Sequence, residues 1–126
     1  MALSPAFDLR AVVGAHAANL AAPAAETAAG HAREVLERIG VEKPPPVIAG
    51  SSLPLGDTTT PRESEGSRRL LREAKAFSPE QRLPVLVIGS ATDVASALLV
   101  EPTVAERLDV VAMAFETWPE GGTPGT

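Results

Sequence analysis

Side chains with chemical potential are few in this chain, and they gather at turns. The stretch "VLVIGSATDVASALL", Val85–Leu99, passes from a β-branched apolar run through Gly89 and Ser90 into apolar residues at helical spacing. Free amides at such a helix start hold anions such as phosphate or carboxylate. Ser90 and Asp93 also match the S-x-x-[DE] capping pattern, and capping alone accounts for both residues. There is no G-x-G-x-x-G and no Walker sequence, so the turn is not a nucleotide loop. His16, just past an apolar run, offers a general base only if a partner orients it; otherwise it is an ordinary surface or hydrogen-bonded histidine. Asp57 with Thr58, Thr59 and Thr60 makes an oxygen-rich loop. Calcium takes roughly six to eight oxygens, usually with several carboxylates, and a polar surface loop explains this segment better. Glu63 and Glu65, two apart, do not face each other on a helix and make no carboxylate pair. His31 lies within a helical pattern, at the end opposite the other polar turns.

The composition narrows the chemistry further. A length of 126 residues with 44% hydrophobic content suits one domain with a core. The formal net charge of -5, with Lys and Arg interspersed among acids, leaves no basic face for nucleic acid. Without Cys there is no disulfide framework, thiolate metal site or cysteine nucleophile, which fits a reducing cytoplasm. The longest uncharged apolar run, Ala11–Ala25, is shorter than the roughly 20 residues a membrane helix needs and contains His16, Asn19 and Pro23. The start of the chain carries Asp8 beside Arg10 and no basic n-region, unlike a secretory signal.

The elements that position these residues read as follows. Residues 1–7 form a loose start, and "LRAVVGA" is a short buried strand. Pro23 opens a helix whose face carries Ala25, Ala28, Ala32, Val35, Leu36 and Ile39 before Gly40, a natural C-cap. "PVIAG" is a very short second strand after the stiff "EKPPP" connector. Thr60, Pro61 and Glu63 form T-P-x-E, a helix start, and Leu70, Leu71, Ala74 and Phe77 make the buried stripe that follows. "LPVLVIG" is the third strand, and the next helix buries Val94, Ala95, Leu98 and Leu99. Thr103 with Glu106 caps a further turn, "DVVAMAF" is the fourth strand, and residues 118–126 are an irregular tail.

Strands alternating with helices predict an α/β fold: a mostly parallel, Rossmann-like sheet with helices on both faces. Ligands in such sheets sit at the carboxyl ends of the strands. That edge collects His16, Asn19, Ser51, Ser52, Asp57, Thr58, Ser90, Thr92, Asp93 and Glu116.

Taken together, "PPVIAGSSLPL", "ESEGSRRLLREAKA" and "LPVLVIGSATDVASALLVEPTVAERLDVVAMAF" resemble the middle of the inosine-uridine-type nucleoside hydrolases. That family has a strand ending in a T-G-P-L-T-N-like turn, a helix, and an apolar strand ending in M-G-G. Here the turn is Ile88–Asp93 and the last strand ends in Met113, Ala114, Phe115. "DLRAVVGAHAANL" is similar to the family's strand and A-G-N turn. The resemblance covers residues 8–122 and makes 8–117 a partial domain of that kind.

The resemblance implies cleavage of ribonucleoside N-glycosidic bonds, with a bound calcium ion and an aspartate that activates water. In that chemistry the metal lowers the pKa of its water and carboxylates stabilise an oxocarbenium-like transition state. Ile88 matches the position whose main-chain carbonyl binds the metal. Asn19 matches the asparagine of the A-G-N turn, and Asp93 stands where the family has the asparagine of T-N; both are implied substrate contacts. The amino-terminal D-x-D-x-G-x-D-D cluster, the N-x-x-x-D-P segment and the carboxyl-terminal His-Asp have no counterpart, so no catalytic residue carries over. The expectation is an internal piece of a longer N-ribosyl hydrolase domain, inactive by itself and prone to self-association. The alternative is a small non-catalytic α/β protein that binds a polar ligand or a partner through its strand-end loops.

Overall fold

In the computed structural model, which describes residues 1–113, the elements run β1 (Val12–Gly14), α1 (Ala24–Arg38), β2 (Val47–Ala49), α2 (Glu65–Ala74), β3 (Leu83–Val87) and α3 (Thr92–Val100). A 3₁₀ turn (Pro102–Arg107) and β4 (Leu108–Ala112) follow. β1 pairs with β2 and β3 with β4, both parallel, with Val12 opposite Val47 and Leu83 opposite Leu108. Each pair is joined through a helix, the connection that parallel strands require. The fold is α/β with short parallel strand pairs, as the alternating pattern predicts. Among the described residues the strands form two two-stranded sheets. Glu116, Phe115 and the tail over 118–126 lie outside the described residues.

Small residues let α1 lie directly on β1. A Cβ on Gly14 would meet the Ala29 amide nitrogen at 2.5 Å and the Ala25 carbonyl at 2.6 Å, and both alanines are fully buried. The contact runs along Ala25, Ala29 and Leu36. Val35 and Ile39, expected on the buried face, are 56% and 45% exposed, because the sheet beneath has only two strands. Gly40 follows the helix at φ +73°, the left-handed conformation that suits glycine there.

The larger core joins Ala74, Leu83, Val104 and Leu108, with Leu70, Leu71, Phe77, Val85 and Leu98 packed around it. Arg10 donates to Glu73 at 2.6 Å and lies over the Phe77 ring, fastening the start of the chain to α2. That hydrogen bond, with a second from Arg69, holds the Glu73 carboxyl below the usual range.

Three helix starts differ from their sequence patterns. α2 begins at Glu65 and not after Thr60: the Ser64 hydroxyl accepts the Ser67 amide and the Ser67 hydroxyl accepts the Ser64 amide, each at 2.9 Å. Thr60 is instead taken by Asp57, whose Oδ1 accepts the Thr59 and Thr60 amides at 2.8 and 2.6 Å in an Asx-type turn. Thr103 lies inside the 3₁₀ turn, which has no side-chain cap. α3 starts after Ala91, again without a side-chain cap, so Ser90 and Asp93 do not cap it.

The buried face of α3 is also polar where apolar residues were expected. Thr92, Asp93, Ser96 and Ala97 are buried, whereas Val94, Ala95, Leu98 and Leu99 are half-buried. The long segment between β2 and α2 has no ladder for its amides, and α3 receives two of them. The Ser51 amide donates to Asp93 Oδ1 at 2.9 Å and the Arg62 amide to Ser96 Oγ at 3.0 Å.

Candidate functional site

The turns after β1 and β3 converge. His16 stands two residues past β1, and its Nε2 lies 2.7 Å from Ser90 Oγ and 3.1 Å from Thr92 Oγ1. The two hydroxyls are 2.9 Å apart, and Ser90 Oγ also accepts the Thr92 amide at 3.3 Å. A Cβ placed on Gly89 would be 4.0 Å from the Ala15 Cβ, so the small residues at both turns allow this approach. His16 and Ser90 are half-buried and Thr92 is buried. Shielding from water strengthens such hydrogen bonds, while the half-exposed pair remains reachable by a solute.

Asp93, one residue on, points elsewhere. Its Oδ1 accepts the Ser51 amide at 2.9 Å and the Ser64 hydroxyl at 2.5 Å. A Cβ on Gly50 would run into this carboxylate, and one on Gly66 would meet Val13 Cγ1 at 2.5 Å and the Gly50 Cα at 3.0 Å. The end of β2, the start of α2 and the start of α3 therefore pack backbone to backbone around one carboxylate that is 7% exposed. Asp93, which the resemblance implies as a substrate contact, has its carboxylate joined here to Ser51 and Ser64, tying three elements together inside the fold.

The other residues singled out from sequence lie apart. Asn19 is exposed in the loop between β1 and α1, and His31 is exposed on α1. Ile88 follows β3 with its side chain 81% exposed. Asp57 binds its own loop, and its carboxyl is lowered to about 2, chiefly by the Thr59 amide and then by Thr60. A cleft of about 490 Å³ is lined by Glu26, Ser51, Ser52, Arg62, Glu63 and Ser64 among others. It does not include His16, Ser90 or Thr92.

The donors around Ile88 do not fit calcium. The polar side chains gathered nearby are an imidazole and two hydroxyls, the neighbouring carboxylate of Asp93 is committed to Ser51 and Ser64, and calcium favours a carboxylate-rich oxygen set. Among the described residues no group of three or more His, Cys, Asp or Glu is placed to hold a metal ion.

Sequence reasoning weighed His16, Ser90 and Thr92 singly, and the structure joins them. The signal available was positional: each follows the carboxyl end of a parallel strand. Ser64 and Ser67 were missed altogether, although S-E-G-S just ahead of the apolar stripe of α2 has the i, i+3 spacing of a capping pair.

Fold and site together define a small α/β protein with a hydroxyl and imidazole cluster at its strand ends. No protein-family model, curated protein or solved structure matches the chain. No helix among the described residues is long and apolar enough to cross a membrane.

Proposed function

We propose that the chain supplies the central part of a nucleoside-hydrolase-like scaffold, and that its strand-end face binds a polyhydroxylated small molecule of the ribonucleoside class. The observation that carries this reading is the convergence of His16 with Ser90 and Thr92. These come from the two turns that resemble the family's pocket-forming turns, one after each strand. An imidazole and two hydroxyls each both donate and accept, which suits the vicinal hydroxyls of a ribose. Asp93, through Ser51 and Ser64, keeps the turn after β3 in place behind that face.

In the complete domain the reaction is hydrolysis of the N-glycosidic bond. The role of this chain in it is binding and orientation. Calcium belongs to the family's chemistry, but the described residues do not form its cage, so no step here runs through a metal. This favours the binding reading for the chain by itself. The lack of cysteine supports a cytoplasmic location.

The test is titration of the full chain with inosine, uridine and free ribose, followed by NMR. Shifts confined to the His16 ring and the Ser90 and Thr92 amides, weakened about tenfold by His16→Ala, are expected; a tenfold change corresponds to about 1.4 kcal/mol. Unmoved His16, Ser90 and Thr92 signals at millimolar nucleoside would overturn the reading. Ribose release from inosine or uridine is expected at the buffer rate, because the sequence lacks the D-x-D-x-G-x-D-D cluster.

A further inference from the structure

We infer that Ser90 is a nucleophile activated by His16, and that the pair takes small carboxylic esters with a short acyl group. The inference is independent of the ribonucleoside reading, since it needs only the geometry of two side chains. Ser90 Oγ lies 2.7 Å from His16 Nε2, within the reach a base needs to take a hydroxyl proton. Thr92 lies in the same cluster, its hydroxyl 2.9 Å from Ser90 Oγ and 3.1 Å from His16 Nε2; in the proposed step the Ser90 hydroxyl donates to Nε2. The Thr92 amide, 3.3 Å away, points at the same oxygen.

The placement of Ser90 adds to this. It follows β3 by a tight strand-to-helix turn, half-buried between exposed Gly89 and Ala91. α3 begins two residues on, at Thr92, and its N-cap residue Ala91 makes no side-chain cap. The positive end of the helix dipole thus lies beside the atom that would carry negative charge as the hydroxyl ionises. At the same strand ends Ile88 and Met113 are 81% and 70% exposed, an apolar ledge for a short aliphatic acyl chain.

The reaction balances as ester plus water giving acid plus alcohol. Ser90 Oγ forms a bond to the carbonyl carbon as its proton passes to His16 Nε2. The carbon–oxygen bond to the alcohol then breaks, and the leaving oxygen takes that proton. Water, deprotonated by His16, attacks the Ser90 ester, releases the carboxylic acid and restores the hydroxyl.

The experiment uses the full chain with p-nitrophenyl acetate and, separately, a fluorophosphonate, whose P–F bond breaks as the Ser90 Oγ–P bond forms and HF leaves. A burst of nitrophenol and a single adduct mapped to Ser90 by peptide mass spectrometry are expected. Ser90→Ala should abolish the adduct, and His16→Ala should slow it by roughly 10²-fold or more. Adducts on Lys43, Lys75, His31 or another serine, no adduct on the folded chain, or a His16→Ala variant labelled as fast as the unaltered chain would each overturn the inference. Because the first readout uses the unaltered chain, misfolding of a variant does not blunt it. Nucleoside titration of the same sample reports separately on the ribose reading.

Discussion

The carboxylate of Asp93 occupies the volume that a side chain at Gly50 would need. Gly50 directly follows β2, and Asp93 lies in the first turn of α3, with the glycine amide itself donating to the Gly14 carbonyl at 2.9 Å. A methyl group there must displace a buried, hydrogen-bonded charge or the strand. Gly50→Ala is expected to lower stability by about 1–3 kcal/mol, the usual cost of forcing atoms into a packed interior. Gly66→Ala should behave likewise, since it meets Val13 and the Gly50 backbone. Gly30→Ala is the contrast: nothing lies within 4 Å of its added Cβ, and in mid-helix alanine should stabilise by roughly 0.5–1 kcal/mol. Urea melts of the three variants check the ordering.

Removal of the Asp93 side chain leaves the Ser51 amide and the Ser64 hydroxyl without their partner. Asp93→Ala is expected to cost about 1–3 kcal/mol for each buried group left unsatisfied. Asp93→Asn keeps one acceptor and should cost less. If Asp93 only capped α3, both changes would stay near 1 kcal/mol. Denaturant melts, with hydrogen exchange at the Ser51 amide, distinguish the two.

The Asp57 loop gives a pH signature. Its carboxyl is held at about 2, below the ordinary aspartate range, chiefly by the Thr59 amide and then by Thr60. A depressed carboxyl contributes stability that is fully present above the unfolded value and is lost as pH falls through the folded one. The Thr59 and Thr60 amides should therefore stay protected down to about pH 4 and lose protection progressively toward about pH 2. Asp57→Asn should remove this dependence. NMR of the Asp57 carboxyl carbon and of the two amides measures it, and a titration near 3.8 would contradict the loop geometry.

The outer face of the β3–β4 sheet exposes Leu86, Ile88, Val111 and Met113, at 48%, 81%, 58% and 70%. Parallel strands are ordinarily covered on both faces, and contiguous apolar patches drive association. The chain should sediment above its 13.0 kDa monomer mass as concentration rises. Leu86→Lys with Val111→Lys should restore the monomer with little loss of stability, since both side chains are exposed. Sedimentation equilibrium decides it; a monomer at all concentrations would count against the role of this face.

Much of the architecture is legible in sequence because it rests on local pattern. Apolar runs rich in β-branched residues at Val12–Val13, Val47–Ile48, Val85–Val87 and Val110–Val111 mark the strands, and intervening helical periodicity makes the pairings parallel. Pro23 and Gly40 bound α1 because proline tolerates a helix start and glycine adopts a positive φ. The candidate site was legible only as positions: His16 and Ser90 both follow strand ends, but their 2.7 Å approach depends on how the two strand pairs sit together, which no local pattern encodes.

Caps and burial were decided by tertiary structure. T-P-x-E and S-x-x-D are sound local signals, yet a side-chain oxygen goes to whichever donor the fold leaves most in need. Thr60 is held by Asp57, and Asp93 is drawn to the Ser51 amide in a segment with no ladder of its own. The same demand buries Ser96 on α3 while Val94 and Leu99 remain half-exposed. Sequence by itself determined which segments are helix and strand, through backbone preference and periodicity. Only the tertiary structure decided which polar groups are buried, because an unpaired amide far along the chain costs more than an imperfectly placed apolar side chain.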